Sequence, residues 1–125
     1  MEEELTKAVI GCAIEAHRTL GGCGLMESVY EEALAYELQR ASIEFQRQVV
    51  LPIKYKNTVL ASPLRLDLVV AKRLIVECKA TIEYNSIFEA QVLTYLRLAD
   101  LKVGLVINFG ERRLTDGVHR VANGF

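Results

Sequence analysis

Proline and glycine are scarce, at two and eight residues in a chain of 125. That scarcity excludes a collagen-like repeat and a low-complexity linker. There is no run of eighteen or more apolar residues, so no stretch is long enough to span a bilayer as a helix. The start, Met1-Glu2-Glu3-Glu4, is acidic where a secretory signal would be basic, and the expectation is a soluble cytoplasmic protein. Cysteine is also sparse. Cys12, Cys23 and Cys78 form no CxxC pair, which argues against a disulfide framework or a cysteine zinc site. Three thiols cannot supply the four thiolates of a conventional iron–sulfur cluster.

What remains is a sequence that can build a core. Hydrophobic residues make up 51% and charged residues 25%, and the length fits one domain over residues 1–125. The net charge of −1 conceals a division. Residues 1–38 hold eight acids and two bases, hence −6; residues 39–125 hold eight acids and thirteen bases, hence +5. The basic part is where a polyanion could bind.

Leu5, Val9, Cys12, Ala13, Ala16 and Leu20 recur at helical spacing, and Gly21, Gly22 and Gly24 end that helix. This glycine loop lacks the Gly-Lys-Ser/Thr ending of a nucleotide P-loop and reads as a turn. A second helix is expected from about Met26 to Arg40. Gln46 to Lys56 reads as a strand, with Asn57 as a turn residue, and Leu64 to Val70 and Leu74 to Ala80 as two more. Ser86 to Ala99 returns to helical spacing. Val103 to Phe109 is a nearly continuous apolar run, as in a strand buried on both faces, and Val118 to Val121 is a short last strand. The order α-α-β-β-β-α-β-(β) predicts a single α/β domain with a mixed sheet.

The chemistry concentrates between Leu64 and Ala80. Outside the turn, the even positions Leu64, Leu66, Leu68, Val70, Leu74, Val76, Cys78 and Ala80 are apolar, while Arg65, Asp67, Glu77 and Lys79 fall on odd ones, so alternation predicts the charges on one sheet face. A three-residue turn at Ala71-Lys72-Arg73 would pair Val70 with Leu74 and set Asp67 opposite Glu77; a two-residue turn would pair Asp67 with Cys78 instead. Two carboxylates that close repel unless a cation sits between them. Paired carboxylates plus a lysine suit metal-assisted phosphodiester hydrolysis, in which Mg²⁺ takes oxygen ligands. The same residues also suit an ordinary strand face whose acids Lys79 neutralises.

Asp67 with Glu77-Cys78-Lys79 resembles the active-site motif of the PD-(D/E)XK nuclease superfamily. Gly24-Leu25-Met26-Glu27-Ser28-Val29-Tyr30 resembles the motif that names the GxxExxY protein family, a branch of that superfamily. Gln91-Val92-Leu93-Thr94-Tyr95 is similar to the Gln-x-x-x-Tyr element of RecB-like nucleases. Gly104-Leu105-Val106-Ile107-Asn108-Phe109-Gly110 and Asp116-Gly117-Val118-His119-Arg120 resemble the family's closing strand and tail. The likeness runs from about His17 to Asn123, with the motifs in the expected order.

The resemblance implies a restriction-endonuclease-like core, a central mixed β-sheet flanked by helices. It also implies a role for each matching residue. Asp67, Glu77 and the backbone carbonyl of Cys78 would hold Mg²⁺ or Mn²⁺, with Glu27 as a further ligand or general base. Lys79 would act on water or phosphate. Gln91 and Tyr95, one turn apart, would orient Lys79 or contact the nucleic-acid backbone, and Tyr30 would support the site. The expected activity is Mg-dependent hydrolysis of nucleic acid, DNA first, in the cytoplasm and without a membrane partner. The alternative is a nuclease-fold module that binds nucleic acid or a partner protein without cutting. The high apolar fraction also suggests a homodimer through an edge strand or helix face. His17 is expected as a helix-terminus residue, His119 has no assigned role, and Arg65, Lys72, Arg73, Arg112, Arg113 and Arg120 are expected as solvated surface bases.

Overall fold

The computed structural model describes residues 2–124. Two helices open the chain, α1 (Glu2–Thr19) and α2 (Glu27–Arg40). Glu2, Glu3 and Glu4 lie in the first turn of α1, with His17 and Arg18 in its last, signs that suit the helix dipole. The strands follow as β1 (Phe45–Leu51), β2 (Lys54–Tyr55), β3 (Thr58–Val59), β4 (Leu64–Val70) and β5 (Leu74–Lys79). Helix α3 (Ile87–Ala99) leads to β6 (Val103–Asn108), a short 3-10 turn (Leu114–Gly117) and β7 (Val118–Ala122).

The main sheet has the order β1-β4-β5-β6-β7. Only β5 and β6 run parallel, as the crossover through α3 requires; the other neighbours are antiparallel. One face buries Leu68, Val70, Leu74, Val76 and Cys78 against Val9 and Ala13 of α1 and Tyr30, Leu34 and Leu38 of α2. The other face buries Leu66, Ile75, Val106 and Val121 against Val92 and Leu96 of α3. Helix α3 rests so close to β6 that a Cβ at Gly104 would lie 2.7 Å from a Val92 methyl. All six residues of β6 are buried, as its apolar run predicts.

The expected strand from Gln46 to Lys56 is divided. It breaks at Pro52, which has no N–H to donate to a ladder, and the remainder pairs with Thr58–Val59 as a separate two-stranded ribbon. Strict alternation along β4 also fails at one position. Leu68 and Val70 face α1 and α2, but Leu66 faces α3. On β1, Phe45 packs on the first side and Val49 on the second, and between them Gln48 takes a left-handed φ of 50°. The β1–β4 register places Gln48 opposite Asp67 and omits that pair from the ladder. The sheet is therefore kinked where the carboxylate sits.

Candidate active site

The β4–β5 hairpin has the register that the three-residue turn implies. Val70 pairs with Leu74, Val69 with Ile75 and Leu68 with Val76, around Ala71 and Lys72 at φ of 53° and 58°. One step beyond Leu68, backbone pairing stops and side chains take over. The Asp67 N–H donates to Glu77 Oε2 at 2.8 Å, and the Cys78 N–H donates to Asp67 Oδ2 at 2.9 Å. Each carboxylate thus takes the place of a carbonyl from a strand that has moved away. The two acids face each other across the opening. Glu77 and Lys79 share parity with Ile75, on the α3 side, while the Cys78 side chain is buried on the other.

Helix α2 reaches this opening through a loop set by Tyr30. The Tyr30 side chain is fully buried, stacks on Phe109 at 4.8 Å, donates its hydroxyl to the Gly22 carbonyl at 2.6 Å and accepts the Leu25 N–H at 3.1 Å. Gly21, Gly22 and Gly24 all take positive φ, which makes so tight a loop possible. His17 ends α1 and also bonds through Nε2 to the Glu111 carbonyl at 2.9 Å, beside the same rings. Glu27 then opens α2 within electrostatic reach of Lys79 and Asp67. One turn on, the buried Glu31 accepts from Gln48 Nε2 at 3.0 Å and pairs with Arg47 at 3.2 Å. Glu31 and Gln48 escaped the reading of the sequence. The spacing of Glu27 and Glu31, four apart on one helical face, was the available signal.

On the α3 side, the Lys79 ammonium lies over the Phe88 ring at 4.5 Å. Gln91, expected to orient Lys79 or to contact the nucleic-acid backbone, is exposed on α3. Tyr95 is half-buried and within electrostatic reach of Glu77 and Asp67. The aromatic cluster continues from Phe88 to Tyr84, edge to face, and from Tyr84 to His119, stacked at 4.0 Å. Glu89 accepts the Tyr84 hydroxyl at 3.1 Å and lies 3.6 Å from His119 Nδ1. The registers put His119 opposite Val106 and Val106 beside Glu77, so His119 is two strands from the acid pair in one row.

A family model described as the PD-(D/E)XK nuclease superfamily matches residues 3–121. The chain belongs to this superfamily. No curated protein and no solved structure matches it. The five-stranded mixed sheet between helices is the superfamily's restriction-endonuclease-like core.

In this PD-(D/E)XK chain the site's electrostatics follow from crowding acids at a partly dry place. Burial, reinforced by the charge of Asp67, pushes Glu77 up to about 8. Asp67 is raised by burial and by Glu31, against the Cys78 N–H and Lys79, which lower it. Glu27 is raised by partial desolvation and by Asp67 and Glu31, with Lys79 opposing. Burial, then Glu77 and Asp67, raise Tyr95 and keep its phenol a donor. Three acids that resist ionisation together, all with oxygen donors, fit a hard divalent cation. Among the described residues, however, no group of three or more His, Cys, Asp or Glu side chains is gathered to hold a metal ion. Asp67 and Glu77 face each other beside the Cys78 backbone, and Glu27, exposed at the start of α2, lies within electrostatic reach of Asp67. A facing pair is still compatible with Mg²⁺, which is commonly bound through one or two carboxylates and keeps several waters.

Proposed function

We propose that this chain is a Mg²⁺- or Mn²⁺-dependent nuclease of the GxxExxY branch, acting on DNA. The observation that carries the reading is the opened β4–β5 hairpin, where Asp67 and Glu77 face each other and Lys79 projects on the Glu77 side. Asp67, Glu77 and the Cys78 carbonyl would hold the cation, and Glu27 would bind water at its rim or take a proton from it. A bound divalent cation supplies charge neutralisation at the phosphate and lowers the pKa of water. The chain's own part is positioning and charge. Lys79, steadied over Phe88, stabilises negative charge developing on the phosphoryl oxygens. Tyr95, kept protonated, donates toward the backbone beside the acids. Gln48 favours the ionised Asp67, while Glu31, which accepts from Gln48, opposes it with a like charge.

The test is incubation with single- and double-stranded DNA and RNA, with Mg²⁺ or Mn²⁺ and with EDTA. Cleavage of DNA that needs the metal and falls at least about a hundredfold in Lys79→Ala and Asp67→Asn is the expected result. Undiminished cleavage in both variants would remove these residues from the reaction. A second reading, a nuclease-fold module that binds without cutting, draws on the same hydrogen bonds. Both carboxylates already accept from backbone N–H groups, and among the described residues no group of three or more His, Cys, Asp or Glu side chains is gathered. Calorimetry separates the two: millimolar Mg²⁺ or Mn²⁺ binding that Glu77→Gln abolishes supports the enzyme, and no binding supports the module.

A further inference from the structure

The connection between β1 and β4 is longer than its geometry requires. These strands are antiparallel neighbours, and Leu51 pairs with Leu64 at their shared end. Two to five residues would close such a hairpin. The chain uses twelve, residues 52–63, and folds them into the separate β2–β3 ribbon. Lys54 pairs with Val59 and Tyr55 with Thr58, and the Leu60 N–H donates to Ile53 at 2.8 Å to extend the ribbon. Every residue from Lys54 to Leu60 is exposed, including Tyr55 at 58% and Val59 at 66%. An isolated two-stranded ribbon gains little stability from itself, and packing in the core does not explain this one.

Its charge is one-sided. Residues 45–66 carry Arg47, Lys54, Lys56 and Arg65 and no acid, in a protein of net charge −1. Lys56 lies 5.4 Å from the Tyr55 ring. The ribbon also leaves the sheet at a particular end. Strand β4 begins at Leu64, three residues before Asp67, and β5 finishes there at Lys79. Because β6 runs parallel to β5, Arg112 and Arg113, exposed just beyond β6, lie at that end too. Lys72 and Arg73, in the β4–β5 turn, lie at the other.

We infer that the β2–β3 ribbon is an arm that grips a single-stranded stretch of nucleic acid leading into the acidic site, with Lys54 and Lys56 on phosphates and Tyr55 stacked on a base. The inference rests on the nuclease reading of that site. The acids repel a polyanion, so a strand must be held by cations set beside them, and the ribbon supplies these without adding charge at the site itself. An exposed tyrosine flanked by lysines offers both contacts that a single strand uses, stacking and charge.

Fluorescence anisotropy with a labelled single-stranded DNA oligonucleotide in EDTA measures binding without cleavage. Lys54→Ala/Lys56→Ala should weaken binding roughly tenfold and reduce the slope of log K against log salt by about 1.4, two phosphate contacts' worth on a single strand. Tyr55→Ala should weaken it by a similar factor with the salt slope unchanged. Lys72→Ala/Arg73→Ala removes the same charge at the far end and should leave affinity within twofold. Equal loss in that control, or Lys54→Ala/Lys56→Ala and Tyr55→Ala variants that bind as the wild type does, would overturn the arm. Metal-dependent cleavage by the wild type alongside such a result would leave the nuclease reading standing. A wild type that neither binds nor cleaves would overturn both.

Discussion

Burial raises the proton affinity of Glu77, and Asp67 across the opening raises it further. The sign of the consequence is fixed. Between the ordinary glutamate value and about 8, the folded protein holds a proton that the unfolded chain has lost, so stability falls as pH rises through that window. Above it the loss is complete, on the order of a few kcal/mol. Glu77→Gln keeps an acceptor for the Asp67 N–H and removes the titration. In EDTA the variant should show a much flatter unfolding free energy between about pH 5 and about 8, and exceed the wild type at the upper end. Urea unfolding at several pH values checks this, and a wild-type curve that is level across the range would contradict it. Phe88 makes a second expectation at this scale. Phe88→Leu keeps apolar bulk but removes the ring face beneath Lys79, worth about 1 kcal/mol. Turnover of DNA should fall roughly fivefold with little change in KM, and an unaltered turnover would show that the ring only packs.

At the scale of elements, the loop into α2 depends on the Tyr30 hydroxyl, which serves the Gly22 carbonyl and the Leu25 N–H from a fully buried ring. Tyr30→Phe leaves two backbone groups short of a partner and should cost about 1 to 3 kcal/mol in denaturant unfolding. Cleavage should drop as well, because Glu27 follows this loop; a stable variant with full activity would separate the loop from the site. The helices and β6 were legible because their periods are regular and their apolar runs strong. The register that brings Asp67 opposite Glu77 was legible because the three-residue turn at Ala71–Arg73 pairs Val70 with Leu74, even though alternation along β4 fails at Leu66. The kink was not, since it requires a left-handed Gln48, a conformation that composition does not mark for glutamine. The β2–β3 ribbon was hidden because Gln46 to Lys56 is uniformly strand-like except at Pro52. Phe88 shares helical spacing with Val92 and Leu96 in the sequence, and only the packing of α3 brings it beneath Lys79.

Across the whole molecule, acids and bases are sorted by the topology. The acidic first third forms the helical layer behind the sheet, while the ribbon carries Lys54 and Lys56 without an acid, at the end where β5 delivers Lys79. The charge of Asp67 opposes ionisation of Glu77 across the opening, a repulsion that a bound divalent cation would relieve. Mg²⁺ or Mn²⁺ should therefore raise the melting temperature, by roughly 5 to 10 °C at about a hundred times the dissociation constant. The gain should be larger at pH 8 than at pH 6, where protons compete for the same oxygens. Binding near neutral pH should also expel about one proton, since Glu77 is largely protonated there without metal. Titration calorimetry in two buffers of different ionisation enthalpy reads that proton directly. Glu77→Gln and Asp67→Asn should each remove most of the thermal shift, and Glu77→Gln should also silence the buffer dependence. A metal-induced shift that persists in both variants would place the cation elsewhere on the chain. No shift at either pH would leave the carboxylate pair as a hydrogen-bonded clasp between β4 and β5, already satisfied by the Asp67 and Cys78 N–H groups.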